Sequence, residues 1–487
     1  MSANPSTARS ASTYSGPGIP AADIDASCRA PLLFLFVKAS GWLVIASIFG
    51  FIGSLKFHAP YLLADCPLLT YGRIQPAAVN SFVYGFAAQA GLGVALWLLA
   101  RLGRTALVQP GLVLLGGLIW NLGVGIGVLG ILIGDSRGYE WLEMPRYASP
   151  VLFSSYLVIG VCGLLTFHRR SERALYPSQW FLLAALFWFP WVYSVANLLL
   201  VYRPVRGVLQ AVVSWWYLHN LSAVWLGSLG VATIFYFLPK LAGRPLHSRY
   251  LAMFAFWTLL LFGSGGGIYY GAPLPAWIPG LSTVFAILSL VSVIAVAMNC
   301  DATLSGQLSK VRDSLPLRFI VAGTAAYVLA NVIEAFNALP LVNHLTHFTF
   351  FSPARSQLYL YGFFALTLFG AVYYIAPKLA GVEFPAARPP KFHFWMSVIG
   401  VALYVVSLIL GGLAQGQILN DASRPFLASL QAGLRMFRVS TLGDLLMGIG
   451  NLAFAINLTQ LWCRSYCGCW WRSMMEAEEP AIAEVQP

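Results

Sequence analysis

Long apolar runs separated by short polar stretches dominate the chain. Runs able to cross roughly 30 Å of hydrocarbon, which takes about twenty residues each, begin near Pro31, Ala77, Pro110, Pro150, Gln179 and Ala211. Six more begin near Tyr250, Ile278, Pro316, Ser356, His393 and Ser440. The pattern predicts an all-α integral membrane protein with twelve transmembrane helices over residues 31–462. Residues 1–30 are rich in Ser, Ala, Gly and Pro and lack the basic-then-apolar order of a cleavable signal, so they read as a disordered cytoplasmic tail. Residues 463–487 form a second tail with an acidic end.

Composition sharpens this. Of 487 residues, 59% are hydrophobic and 9% charged, against about 25% charged in a typical soluble domain, and no water-soluble fold hides that much apolar surface. The net charge of +12 does not point to nucleic acid, because the basic residues are scattered singly and form no continuous stripe. They flank helix ends instead, as in Arg169/Arg170/Arg173, Lys240/Arg244/Arg249 and Lys378/Arg388/Lys391. With both termini inside, the inside segments hold the larger share of Lys and Arg, which predicts cytoplasmic termini in a bacterial-type inner membrane.

Four of the seven cysteines, Cys28, Cys66, Cys162 and Cys300, have no neighbour at ligand spacing, which argues against a disulfide framework. Cys463, Cys467 and Cys469 follow the last span as CxxxCxC. Zinc binding there lacks an evident fourth ligand; acylated or idle thiols are the alternatives.

An ionisable side chain inside a span costs roughly 2.5 to 3.5 kcal/mol on insertion scales, so Lys38, Glu334 and Asp444 each ask for a role. Lys38 and Asp444 are expected near cytoplasmic helix ends, within reach of the interface. Glu334 is deeper, with a proton route, a pairing with Arg355 or a buried hydrogen bond open to it. A short echo joins Ile234-Phe-Tyr-Phe-Leu-Pro-Lys-Leu-Ala-Gly and Val372-Tyr-Tyr-Ile-Ala-Pro-Lys-Leu-Ala-Gly, either a structural repeat or convergent helix-stop chemistry.

Several motifs carry more. Trp215-Trp-Tyr-Leu-His-Asn220, Phe235-Tyr-Phe-Leu-Pro-Lys240 and Arg244-Pro-Leu-His-Ser-Arg-Tyr250 stand in one block. Gly72-Arg-Ile-Gln-Pro76 with Asn80, Gly138-Tyr-Glu-Trp-Leu-Glu143 and Val342-Asn-His-Leu-Thr-His347 fall before and after it. In order and spacing these resemble subunit I of the cbb-type, or C-family, haem-copper cytochrome c oxidases, over nearly the whole chain. The resemblance implies a twelve-helix oxidase bundle, two b-type haems, a copper, and partners among cytochrome c-type or other respiratory-complex subunits. It also places Glu140 and Glu143 in an outer-loop pair near haem propionates and a calcium; two solvated carboxylates are the plainer alternative.

Such a centre needs six imidazoles within the membrane, whose nitrogen lone pairs no apolar side chain replaces. Carried over position by position, the low-spin haem ligand of the second helix falls on Ala78. The two tenth-helix ligands fall on Arg355 and Gln357, and the adjacent copper pair of the seventh on Tyr269 and Tyr270. Of the six, His219 alone is retained, at the first copper-ligand position. It is either a remnant metal site or a histidine hydrogen-bonded within the bundle. Of the rest, His58, His168, His247 and His393 are expected at solvated helix ends or loops. No catalytic residue is assigned. The expectation is a ligand-depleted, non-catalytic subunit of a respiratory complex with a structural or partner-binding role. The alternatives are an active terminal oxidase with rearranged ligands, which Ala78, Arg355 and Gln357 count against, and a transporter or channel reusing the bundle. For the last, Gly263-Ser-Gly-Gly-Gly267 is the candidate helix break.

Overall fold

A computed structural model describes residues 19–271, 273–384 and 388–478, with side chains as far as Tyr466. Among the described residues eleven helices are long and apolar enough to cross a membrane, and a shorter apolar one makes the twelfth. They are α1 (Ala21–Leu55), α2 (Tyr71–Gly103), α3 (Pro110–Ile133), α4 (Ala148–His168), α5 (Pro177–Tyr202) and α6 (Leu209–Ala242). The second half comprises α7 (Arg249–Gly263), α8 (Trp277–Leu304), α9 (Leu315–Asn337), α10 (Phe351–Ala380), α11 (Arg388–Leu419) and α12 (Phe426–Tyr466). The helix of α12 continues to Glu478.

Three helices form the centre. In their most apolar stretches α2 is 100% buried, α10 89% and α6 83%, whereas the others are half-buried or less. Even polar residues of these helices, such as Gln89, Thr233 and Thr367, are enclosed by neighbouring helices. Small residues bring the outer helices close, as at Gly400 of α11, where an added Cβ would lie 2.9 Å from the Gly443 carbonyl of α12. Each central helix also carries a π-helical stretch: Ser81–Ala87 in α2, Asn220–Leu226 in α6 and Leu358–Ala365 in α10. Such wide turns shift the side-chain register and recur at functional sites.

The repeated Pro-Lys-Leu-Ala-Gly segment is a helix stop. Gly243 and Gly381 follow α6 and α10 in the left-handed conformation, at φ +68° and +70°. Their amides reach back to the carbonyls of Pro239 and Pro377, which satisfies carbonyls otherwise left bare at a helix end.

Helix boundaries differ from the sequence expectation at both ends. Helix α1 starts at Ala21, so residues 21–30 are helix and not tail. They are tied to the bundle: Trp97 Nε1 donates to Asp25 at 2.9 Å, Arg101 pairs with Asp25 at 3.6 Å, and Arg29 donates to Ser465 Oγ at 2.6 Å. This last contact sets α1's start beside the part of α12 around Ser465, and that end of the bundle is here the terminal end. Residues 1–18 and the side chains of Cys467 and Cys469 lie outside the described residues; Cys463 is exposed.

The early start of α1 and α12 moves two charges. Asp444 lies toward the distal end, opposite the termini, because Thr441 one turn before it bonds Ser54 Oγ at 2.9 Å near the end of α1. Lys38 lies near mid-bundle, one turn from Trp42, whose indole donates to Asn121 halfway along α3 at 2.9 Å. It is exposed, with its ammonium 5.8 Å from the Phe34 ring toward the terminal end.

Candidate functional site: two cavities between the central helices

Five of the six ligand positions, together with Glu334 and Asp444, line two cavities. The first, of about 70 Å³, is lined by His219, Tyr269, Glu334, Arg355 and Tyr359. The second, of about 100 Å³, is lined by Ala78 and Gln357 together with Gln75, Asp444 and Asn451. Each central helix delivers its residue just before or at the start of its π-helical stretch.

In the first cavity Arg355 of α10 forms an ion pair with Glu334 of α9, and its Nη2 donates to the Tyr269 hydroxyl at 3.1 Å. Of the three roles open to Glu334, pairing with Arg355 is the one found. A guanidinium stays protonated at all accessible pH, so this position offers no lone pair. His219 Nε2 lies 2.9 Å from the Gly263 carbonyl oxygen, to which it donates. Helix α7 ends at Gly263, and the chain beyond it folds over the imidazole: a Cβ at Gly266 would fall 2.8 Å from His219 Nε2. Gly267 there has φ +92°, a conformation L side chains rarely adopt. Backbone thus occupies space around His219 that side chains would need. Tyr270 does not join Tyr269; its hydroxyl lies beside Gly280.

In the second cavity Ala78 and Gln357 occupy the same chamber. Gln357 Nε2 makes only a long contact to Met447 sulfur at 3.9 Å. Tyr361 donates to Asn451 Oδ1 at 2.7 Å, and Asn451 Nδ2 donates to Ser47 Oγ at 2.9 Å.

The loop over the first cavity is less solvated than expected. Glu143 is 9% exposed and accepts from Asn80 Nδ2 at 2.7 Å. Burial pushes its carboxyl up to about 7, with the Asn80 hydrogen bond opposing. Glu140 remains exposed. His393 is also corrected: α11 starts at Arg388, so His393 is fully buried, 3.1 Å from the Tyr373 hydroxyl and ringed by Phe319, Phe369 and Phe454.

A family model described as Cytochrome C and Quinol oxidase polypeptide I matches residues 30–446. The chain belongs to this family. Within the oxidase subunit I family it is similar to the cbb3-type cytochrome c oxidase subunit CcoN1 of Stutzerimonas stutzeri, 27% identical over 432 residues, covering 85% of this chain and 91% of the relative. It is 26% identical over 450 residues to a cytochrome c oxidase subunit 1 homolog of Azorhizobium caulinodans, with 88% and 81% covered. A heme-copper terminal oxidase dimer solved by cryo-electron microscopy has the same fold, with a TM-score of 0.65 at 13% identity over 89% of this chain and 84% of that one.

The chemistry of the donor set can be weighed against the family's metal groups. Ala78, a methyl group, and Gln357, an amide, share the chamber where a bis-histidine haem needs two imidazoles. In the first cavity His219 is the lone imidazole, and its Nε2 is engaged by Gly263. Among the described residues no three His, Cys, Asp or Glu side chains cluster as a metal site. These residues do not fit the haem-copper set. The Asp444, Gln75 and Asn451 ring escaped sequence reasoning, whose single signal was an acidic residue in an apolar run.

Proposed function

We propose that this member of the oxidase subunit I family is a ligand-depleted, non-catalytic subunit with a structural or partner-binding role in a respiratory electron-transfer complex of the bacterial inner membrane. One observation carries the reading: Ala78 and Gln357 meet in a single chamber, at the positions the resemblance assigns to the two axial ligands of the low-spin haem. The occupation of Arg355 by Glu334 and Tyr269 supports the same reading at the second haem. Basic clusters at the terminal end support cytoplasmic termini. The relatives' names describe cytochrome c oxidase subunits, which supports cytochrome-bearing partners.

A reduced-minus-oxidised difference spectrum of the chain purified in detergent tests this. The expected result is no stoichiometric α-band of b-type haem. Such a band would establish instead the active oxidase with rearranged ligands.

A further inference from the structure

We propose that the chamber holding Asp444 is a binding site for a small monovalent cation, reached from an aromatic groove at the distal end of the bundle. The inference rests on the reading that no haem fills this chamber. Its first support is a carboxyl inside the bundle without a cationic partner. The ion pairs among the described residues are Arg101–Asp25, Arg104–Glu172, Arg355–Glu334 and Arg424–Asp421. Asp444 takes part in none of them, although it lies on a membrane helix where a carboxylate costs roughly 2.5 to 3.5 kcal/mol. The polar side chains that share the chamber are neutral and carry oxygen, the amides of Gln75, Gln357 and Asn451 and the hydroxyls of Ser47 and Ser54, set among apolar neighbours such as Ala78, Val79 and Leu360.

That donor set selects the ligand. Amide, hydroxyl and carboxylate oxygens suit hard cations, and one carboxylate balances one positive charge. A divalent calcium or magnesium ion draws on more carboxylates or keeps several waters, and it would leave a net charge stranded at low dielectric. A chamber of about 100 Å³ admits an alkali or ammonium ion with a few waters, and excludes bulky organic cations.

The second support is a path. A groove of about 650 Å³ opens between the 56–70 loop and the start of α12, and it shares Phe57 and Tyr71 with the Asp444 chamber. Between the two spaces the Phe57 ring stands 5.4 Å from Tyr71, 4.8 Å from Phe350 and 5.6 Å from Phe437. Ring faces attract cations, and rotation of Phe57 would join groove and chamber. Lys56, which lines the groove, has its ammonium held by the Leu62 carbonyl, to which it donates at 2.5 Å.

The test is thermal unfolding of the full chain in detergent at constant ionic strength, with sodium, potassium or ammonium chloride replacing N-methylglucamine chloride. The expected result is a saturable rise in Tm with at least one small cation, as linkage requires of a ligand that binds only the folded state. Asp444→Asn is expected to abolish the rise while unfolding no lower than the cation-free wild type. Gln75→Leu, which keeps the carboxylate, is expected to raise the half-saturating concentration at least tenfold, and it serves if Asp444→Asn does not fold. Equal Tm in small and bulky cations, an unchanged rise in Asp444→Asn, or an unchanged midpoint in Gln75→Leu would overturn the proposal. A haem-free protein with no cation response defeats this inference alone, whereas a stoichiometric b-type α-band defeats the reading beneath it.

Discussion

Arg355 of α10 is ion-paired with Glu334 of α9, and together with Tyr269 they close the first cavity where the family's high-spin haem and copper would be held. Both side chains are less than one-fifth exposed, at 17% and 18%. Removing one partner of such a pair leaves the other uncompensated, at a cost of about 3 kcal/mol or more, whereas removing both is far milder. Glu334→Gln is therefore expected to lower Tm markedly, and Glu334→Gln with Arg355→Gln to recover most of the loss. A double-mutant cycle by thermal unfolding in detergent checks this; additive losses would show that the pair is not coupled.

His219→Ala is expected to leave metal content unchanged and to cost about 1 kcal/mol, the net worth of its hydrogen bond to Gly263. The other copper-ligand positions fall on Tyr269 and Tyr270, which supply no imidazoles. Elemental analysis of the purified chain measures it. Copper near one equivalent in the wild type, lost in the variant, would contradict the reading.

Glu143 makes the stability depend on pH. Burial raises its folded-state carboxyl from 4.5 to about 7, so between these values the folded protein holds more protons than the unfolded chain. Stability then falls as pH rises through that window, by up to about 3 kcal/mol, and Glu143→Gln is expected to flatten the profile. Chemical denaturation at pH 4.5 and 7.5 compares them; parallel profiles would assign the pH dependence elsewhere.

The chain is expected to migrate in gently solubilised membranes within a larger assembly that contains cytochrome-bearing subunits. Outer-loop motifs such as Gly138-Tyr-Glu-Trp-Leu-Glu143 persist while inward ligands do not, as docking surfaces would require. Native electrophoresis with mass spectrometry tests it. Migration as a monomer with no respiratory subunit would favour a transporter.

Hydrophobic run length alone determined the twelve-helix bundle, because a continuous apolar run of about twenty residues satisfies its backbone groups within hydrocarbon as a helix, whereas barrel strands are about half as long and alternate. Residue identity determined that imidazoles are absent at Ala78, Arg355 and Gln357, and no packing can supply a missing nitrogen. The tertiary structure decided what took their place. It alone brought Arg355 to Glu334, and folded the backbone beyond Gly263 over His219. It drew His393 inside by starting α11 five residues earlier, at Arg388. It also set Gln75 of α2 beside Asp444 and Asn451, which lie seven residues apart on one face of α12. Spans follow from the apolar content of a single segment, which the sequence carries openly. A site is made where several helices converge, and that convergence depends on small-residue contacts such as Gly400 against Gly443 and on π-helical shifts, neither of which leaves a periodic mark in the chain.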